Sequence, residues 1–296
     1  MDIKSALMGI AFVIMWSSAF TSAKIIVETA PPMWALAVRF LISGGIAVGI
    51  AALLGQSARL TRGQWRNTVI FGVCQNALYL GLFFVAMQWI EAGLASIIAS
   101  SMPLVVAFLS WSLLKEKIPP IAVLGLIAGF AGVALIMSAR LTTGADPIGL
   151  MICAVGVLAL AIATLSVRGA ASGGNVLMIV GLQMLVGSAV LFIPAILFEV
   201  PEVELSTNLV LAFVYTTIVP GLAATWVWFK LVGRIGSTNA ATYHFLNPFF
   251  GVAIAAVIIG EELSVRDFIG VAIITFGILA VQLSRRTAKK TAPTRG

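Results

Sequence analysis

Apolar residues in this chain neither alternate nor keep to one helical face. They run on for about twenty positions at a time, and short polar clusters break them. A run of that length spans bilayer hydrocarbon as a helix, whereas a surface helix of a water-soluble domain would carry a polar face. Ten such spans are predicted: 5–25, 34–54, 67–89, 93–113, 120–139, 147–168, 175–198, 208–231, 238–259 and 266–284. The connections are short, and the longest, 55–66, is basic rather than domain-sized. The expected fold class is an all-α polytopic membrane protein with ten transmembrane helices.

Charge then orients the spans, because Lys and Arg stay with cytoplasmic loops. With the N-terminus inside, the cytoplasmic side collects fourteen of the eighteen basic residues, among them Lys4, Arg59, Arg62, Arg66, Lys115, Lys117, Lys230 and Arg234. The opposite side collects nine of the eleven acids: Glu28, Glu91, Asp146, Glu199, Glu202, Glu204, Glu261, Glu262 and Asp267. Both termini are therefore expected in the cytoplasm. The first span, behind Lys4, has the outline of a signal peptide. Its loss would upset a five-plus-five division, so it is expected to be retained.

That division has its own signal. Residues 79–133 and 224–278 align without a gap at a spacing of 145. Pro103 falls on Pro248, Glu116 on Glu261, Gly125 on Gly270 and Gly132 on Gly277, yet Lys115-Glu116-Lys117 becomes Gly260-Glu261-Glu262. A repeated loop that changes from basic to acidic marks a unit inserted upside down, and inverted repeats of this kind build secondary transporters. The expected organisation is a first five-helix repeat over 1–140, an inverted second over 141–284 and a basic tail over 285–296.

Composition excludes other classes. The chain is 60% hydrophobic and 10% charged, against roughly 25% charged in a soluble domain. The net charge of +7 does not indicate nucleic acid, because Arg285, Arg286, Lys289, Lys290 and Arg295 gather in a tail suited to anionic lipid. Cys74 and Cys153 lie within apolar runs without metal-like spacing. No cofactor or metal is expected. The chain holds no Gly-rich phosphate loop, no HExxH and no membrane-embedded acid pair, so no catalytic site is expected either.

Several blocks carry a resemblance: Trp16-Ser17-Ser18-Ala19-Phe20 with Lys24, Pro31-Pro32, Arg39-Phe40, and Tyr79 leading into Phe83-Phe84. They continue as Met102-Pro103-Leu104, Leu113-Leu114-Lys115-Glu116, Trp228-Phe229, Leu246-Asn247-Pro248 and Gly260-Glu261-Glu262-Leu263. Over 10–284 the chain resembles the EamA-type branch of the drug/metabolite transporter superfamily, and within it most resembles the YddG-type amino-acid exporters. The resemblance implies export of small metabolites, often amino acids, through a central cavity without ATP hydrolysis.

Polar residues inside the spans mark candidate cavity positions, since lipid-facing sites exclude them. His244 and Asn247, three apart, share a face of the ninth span, with Tyr243 and Asn239 nearby. Ser96 and Ser100 flank the matching face of the fourth; Gln75, Asn76 and Tyr79 lie in the third. Trp16, Ser17 and Thr21 come from the first span, Thr164 from the sixth, Gln183 from the seventh, and Trp226 and Trp228 from the eighth. For Ser and Thr a bond back to their own helix competes with a cavity role. For His244 an interhelical hydrogen bond does. Arg39 either snorkels or pairs near the outer interface, or meets a substrate carboxylate. Pro103 and Pro248 are candidate hinges, and Pro220 is a third without an evident repeat partner. The Gly45/Gly49 and Gly125/Gly129 pairs are expected to pack helices within a monomer.

No Asp or Glu falls in mid-span. This argues against a carboxylate-coupled pump, leaving His244 as the group able to carry a proton. Scarce buried Lys and Arg argue against phosphorylated substrates. The expectation is a monomeric, multi-pass inner-membrane exporter of aromatic, apolar and other small neutral amino acids, working by alternating access. Efflux of cationic or lipophilic drugs is the alternative, and an intramembrane enzyme or a non-transporting sensor is more remote.

Overall fold

The computed structural model describes residues 3–113, 115, 119–142, 144–166, 175–235, 240 and 242–291, and among them every regular element is helical. In chain order these are α1 (Ile3–Val27), α2 (Pro32–Leu53), α3 (Arg62–Ala86), α4 (Ala92–Ser112) and α5 (Pro120–Thr142). Then follow α6 (Pro147–Ser166), α7 (Val176–Phe198), α8 (Thr207–Ile235), α9 (Tyr243–Ile259) and α10 (Val265–Thr291). Among the described residues, nine are long and apolar enough to cross a membrane, and the shorter apolar α9 occupies the remaining expected span. Asn239, Glu116 and Lys117 lie outside the described residues.

Local chemistry sets the helix ends. α3 begins at Arg62, ahead of the expected 67, because Thr61 and Gln64 form a reciprocal capping box that draws the basic loop into the helix. Ser206 accepts from Leu209 N at 3.1 Å to start α8, and Ser264 and Asp267 cap each other's amides to start α10. Gly260, at φ +69°, ends α9 in the left-handed conformation that favours glycine. Side chains such as Leu124, Ile196, Val257 and Phe276 face outward, while Phe12, Phe40, Phe83 and Phe84 fill the interior. A bundle apolar on both its inside and its outside is a membrane bundle.

Among the described residues, four irregularities punctuate the helices. Wide π turns occupy Gly72–Tyr79 in α3 and Thr217–Ala223 in α8. α4 breaks at Ser101 and resumes at Met102, with Pro103 in its first turn. A 3-10 turn over Thr242–Leu246 precedes Asn247, where α9 turns α-helical with Pro248 in its first turn. Gly72 to Thr217 and Met102 to Asn247 are both steps of 145 residues. Gln75, in the π turn of α3, stands 145 residues before Pro220 in the π turn of α8.

α10 lies along α5, and α2 along α7. At the α5–α10 seam the backbones nearly touch. A Cβ on Gly277 would sit 2.6 Å from the Gly125 carbonyl oxygen, and one on Gly132 would sit 3.1 Å from that of Gly270. Gly125 thus faces Gly277, and Gly132 faces Gly270. Gly45 and Gly49 have nothing within 4 Å, so this pair does not pack helices within the monomer as expected.

Acids gather at one end of the bundle. Arg140 pairs with Glu91 at 2.7 Å and Asp267 at 2.8 Å, and its Nη2 donates to the Glu262 carbonyl oxygen at 3.4 Å. Glu261 accepts the amides of Ala92 and Gly93 at the start of α4. Glu199 accepts those of Met33 and Trp34 at the start of α2. Carboxylates at helix N-termini meet the positive end of the helix dipole. Burial, helped by Glu261 and Asp267, raises the Glu91 carboxyl above its ordinary range against the opposing pull of Arg140 and Lys24. At the other end of the bundle Gln56 Oε1 accepts Met178 N at 3.0 Å, and Arg234 Nε donates to Ser5 Oγ at 3.3 Å.

Candidate substrate cavity

Helices α1, α2, α3 and α8 leave a cavity between them. Arg39 from α2 faces Gln75 and Tyr79 from one π turn and Pro220 from the other, with Trp16 and Phe20 from α1 beside them. Phe83 and Phe84 extend the aromatic wall. Both π turns thus line the cavity, in keeping with the frequent occurrence of such turns at functional sites. Its free volume is about 60 Å³, room for a few water molecules.

Arg39 neither snorkels nor pairs. It is 6% exposed, its guanidinium lies 5.1 Å from the Phe40 ring centre, and its Nε is buried without a hydrogen-bond partner. Among the described residues no carboxylate lies within ion-pair distance of it.

A second polar cluster adjoins the cavity through Trp16. His244 sits among Phe12, Trp16 and Trp228, with ring centres 5.3, 6.3 and 5.2 Å away. Its Nδ1 is 2.9 Å from Asn247 Nδ2. Ser17 Oγ donates to the Asn247 carbonyl oxygen at 3.3 Å, and Tyr243 Oη to the Ser5 carbonyl oxygen at 3.3 Å. Asn247 Oδ1, Ser96 Oγ and Thr21 Oγ1 are buried without partners.

The remaining candidates lie elsewhere. Asn76 donates to the Gln183 carbonyl oxygen at 2.9 Å, which places both at the α3–α7 seam rather than on the cavity wall. Ser100 and Thr164 bond back to Ser96 O and Leu160 O within their own helices, at 2.7 and 2.8 Å. Trp226 is 63% exposed on the outer surface with Lys230 over its ring, not in the cavity. Pro103 and Pro248 sit at their helix breaks. Ala19, Ala23, Leu80 and Met87 also line the cavity, and nothing in an apolar run distinguishes such positions from lipid-facing ones. Lys24, quoted above only within a motif, donates from Nζ to the carbonyl oxygens of Met87 at 2.7 Å and Ile90 at 3.3 Å.

Apolar helices packed around an aromatic-lined cavity define a multi-pass membrane protein. The sequence profile of the EamA-like transporter family matches residues 3–138 and again 147–283. The chain belongs to the EamA-like transporter family. It is 26% identical to the uncharacterized transporter YvbV of Bacillus subtilis, over 98% of this chain and 95% of that protein. Over 93% of this chain and 89% of the relative, it is 25% identical to the uncharacterized inner membrane transporter YedA of Escherichia coli K12. Protein PecM of Dickeya dadantii is 24% identical over 94% of this chain and 93% of its own length. One crystal structure, 22% identical in sequence, shares the fold with a TM-score of 0.68 over 97% of this chain and 99% of that one.

Proposed function

We propose that this transporter exports aromatic, apolar and other small neutral amino acids, with related metabolites, from the cytoplasm across the inner membrane. Two inverted five-helix halves, both termini in the cytoplasm, rock about the shared cavity and open it to each side in turn. The observation that carries this is the crossed packing of Gly125 on Gly277 and Gly132 on Gly270. Two antiparallel halves related by a two-fold axis have two equivalent ways to close, one toward each face. The recurrence of π turns and proline breaks at one spacing supports the same organisation. The amino-acid class is supported by aromatic walls around a single cation, with no carboxylate among the described lining residues to hold a cationic drug. YedA's inner-membrane description supports the location.

Purified protein in liposomes should move labelled phenylalanine, methionine or threonine down a gradient faster than empty vesicles do. Flux no faster than empty vesicles for every amino acid tried would defeat the assignment.

A further inference from the structure

We propose that the cavity selects its substrate by the carboxylate alone. Arg39 holds the anionic end, the amine is dispensable, and aromatic or apolar monocarboxylates without an amine are bound alongside amino acids. This presupposes the transport function proposed above and narrows how its substrate is recognised.

A guanidinium keeps its charge, and burying that charge unpaired is costly. Arg39 is 6% exposed, and its Nε is buried without a hydrogen-bond partner. The neighbouring Phe40 ring offsets only a small part of that cost. The guanidinium thus stands on the cavity wall with an unpartnered donor, and its planar fork has the geometry that a carboxylate fills by two parallel hydrogen bonds. Gln75 and Tyr79 add polar groups on the same wall.

Among the described lining residues no acid stands ready for a cation. The acids for which the structure gives partners are committed at one end of the bundle: Glu91 and Asp267 to Arg140, and Glu261, Glu199 and Asp146 to helix N-termini. An ammonium entering beside Arg39 meets ring faces and a like charge. A monoanion with an apolar body is the closest electrostatic match, and a zwitterion is the next.

The test uses the full chain in detergent, with thermal stabilisation and tryptophan fluorescence as binding readouts. The probes are phenylalanine, 3-phenylpropionate and phenethylamine, which share a ring and differ in charged groups. The first two should bind with affinities within about tenfold of each other, and phenethylamine should not bind. Arg39→Gln should weaken both acids by about 100-fold, as expected for loss of a charge-assisted pair. Its unliganded melting temperature should hold or rise, because an unpaired charge has left the interior. Arg39→Lys keeps the charge and loses the fork, and should weaken both acids by about tenfold; it serves as the test should the Gln variant not fold.

Binding of phenethylamine, failure of 3-phenylpropionate to bind, or unchanged acid affinities in a folded Arg39 variant would each overturn the proposal. The transport function fails separately. If 3-phenylpropionate binds through Arg39 while no amino acid crosses a liposome membrane, the anchor stands and amino-acid export falls.

Discussion

Arg140 shows how much one side chain carries in a membrane protein with few charges. It neutralises Glu91 and the buried Asp267 together, beside the Glu261 carboxylate. Removing one partner of a buried pair leaves the other uncompensated, so Arg140→Gln should cost about 3 kcal/mol at neutral pH. The pH dependence has a definite sign. A carboxyl whose pKa rises on folding holds its proton more tightly when folded, so its contribution falls as pH climbs from about 4 through the raised value. Without Arg140 the Glu91 carboxyl rises further. The melting-temperature deficit of the variant should therefore be larger at pH 8 than at pH 5; a deficit independent of pH would refute this role. At this scale the sequence was informative where residue type alone decides. The structure sets Trp16, Arg39, Gln75 and Tyr79 around one cavity. It failed between neighbours: Gln75 faces the cavity while Asn76 turns to α7. A helix apolar all round has no polar stripe to fix its rotation, and the π turn shifts the register further, so packing alone separates the two.

Helices were the most legible objects in the chain, because length in an apolar run is a direct measure of bilayer thickness. Their interruptions were not. One π turn contains Pro220, but Gly72–Tyr79 contains no residue that announces it. Glycine pairs were equally ambiguous, since spacing does not say what stands opposite. The seam between α5 and α10 makes the difference measurable. A methyl at 277 would meet backbone atoms of Gly125 and Gly129 at 2.6 to 2.7 Å, and backbone cannot step aside as a flexible side chain does. Gly277→Ala should destabilise by about 2 kcal/mol, in the range of overpacked cores. Gly45→Ala and Gly49→Ala enter open space and should be neutral or stabilising by up to about 1 kcal/mol through helix propensity. Thermal unfolding in detergent distinguishes these outcomes, and equal losses at 277 and 45 would contradict the packing.

For the whole molecule, the proposed inversion places Lys115 in the cytoplasm and Glu262 outside. In a chain with Cys74 and Cys153 replaced, an impermeant thiol reagent should reach Glu262→Cys in intact cells and Lys115→Cys only after permeabilisation. Labelling of both from one side would end the inverted-repeat account. If the halves are inverted, the α4 break and its α9 mate exchange places under a half-turn in the membrane plane. A change that stiffens the break at Pro103 would hinder one direction of opening, and the same change at Pro248 would hinder the other. Either alone should leave the transporter lopsided, resting toward one face. Both together should slow the cycle yet restore its balance, so a second lesion would partly correct the first.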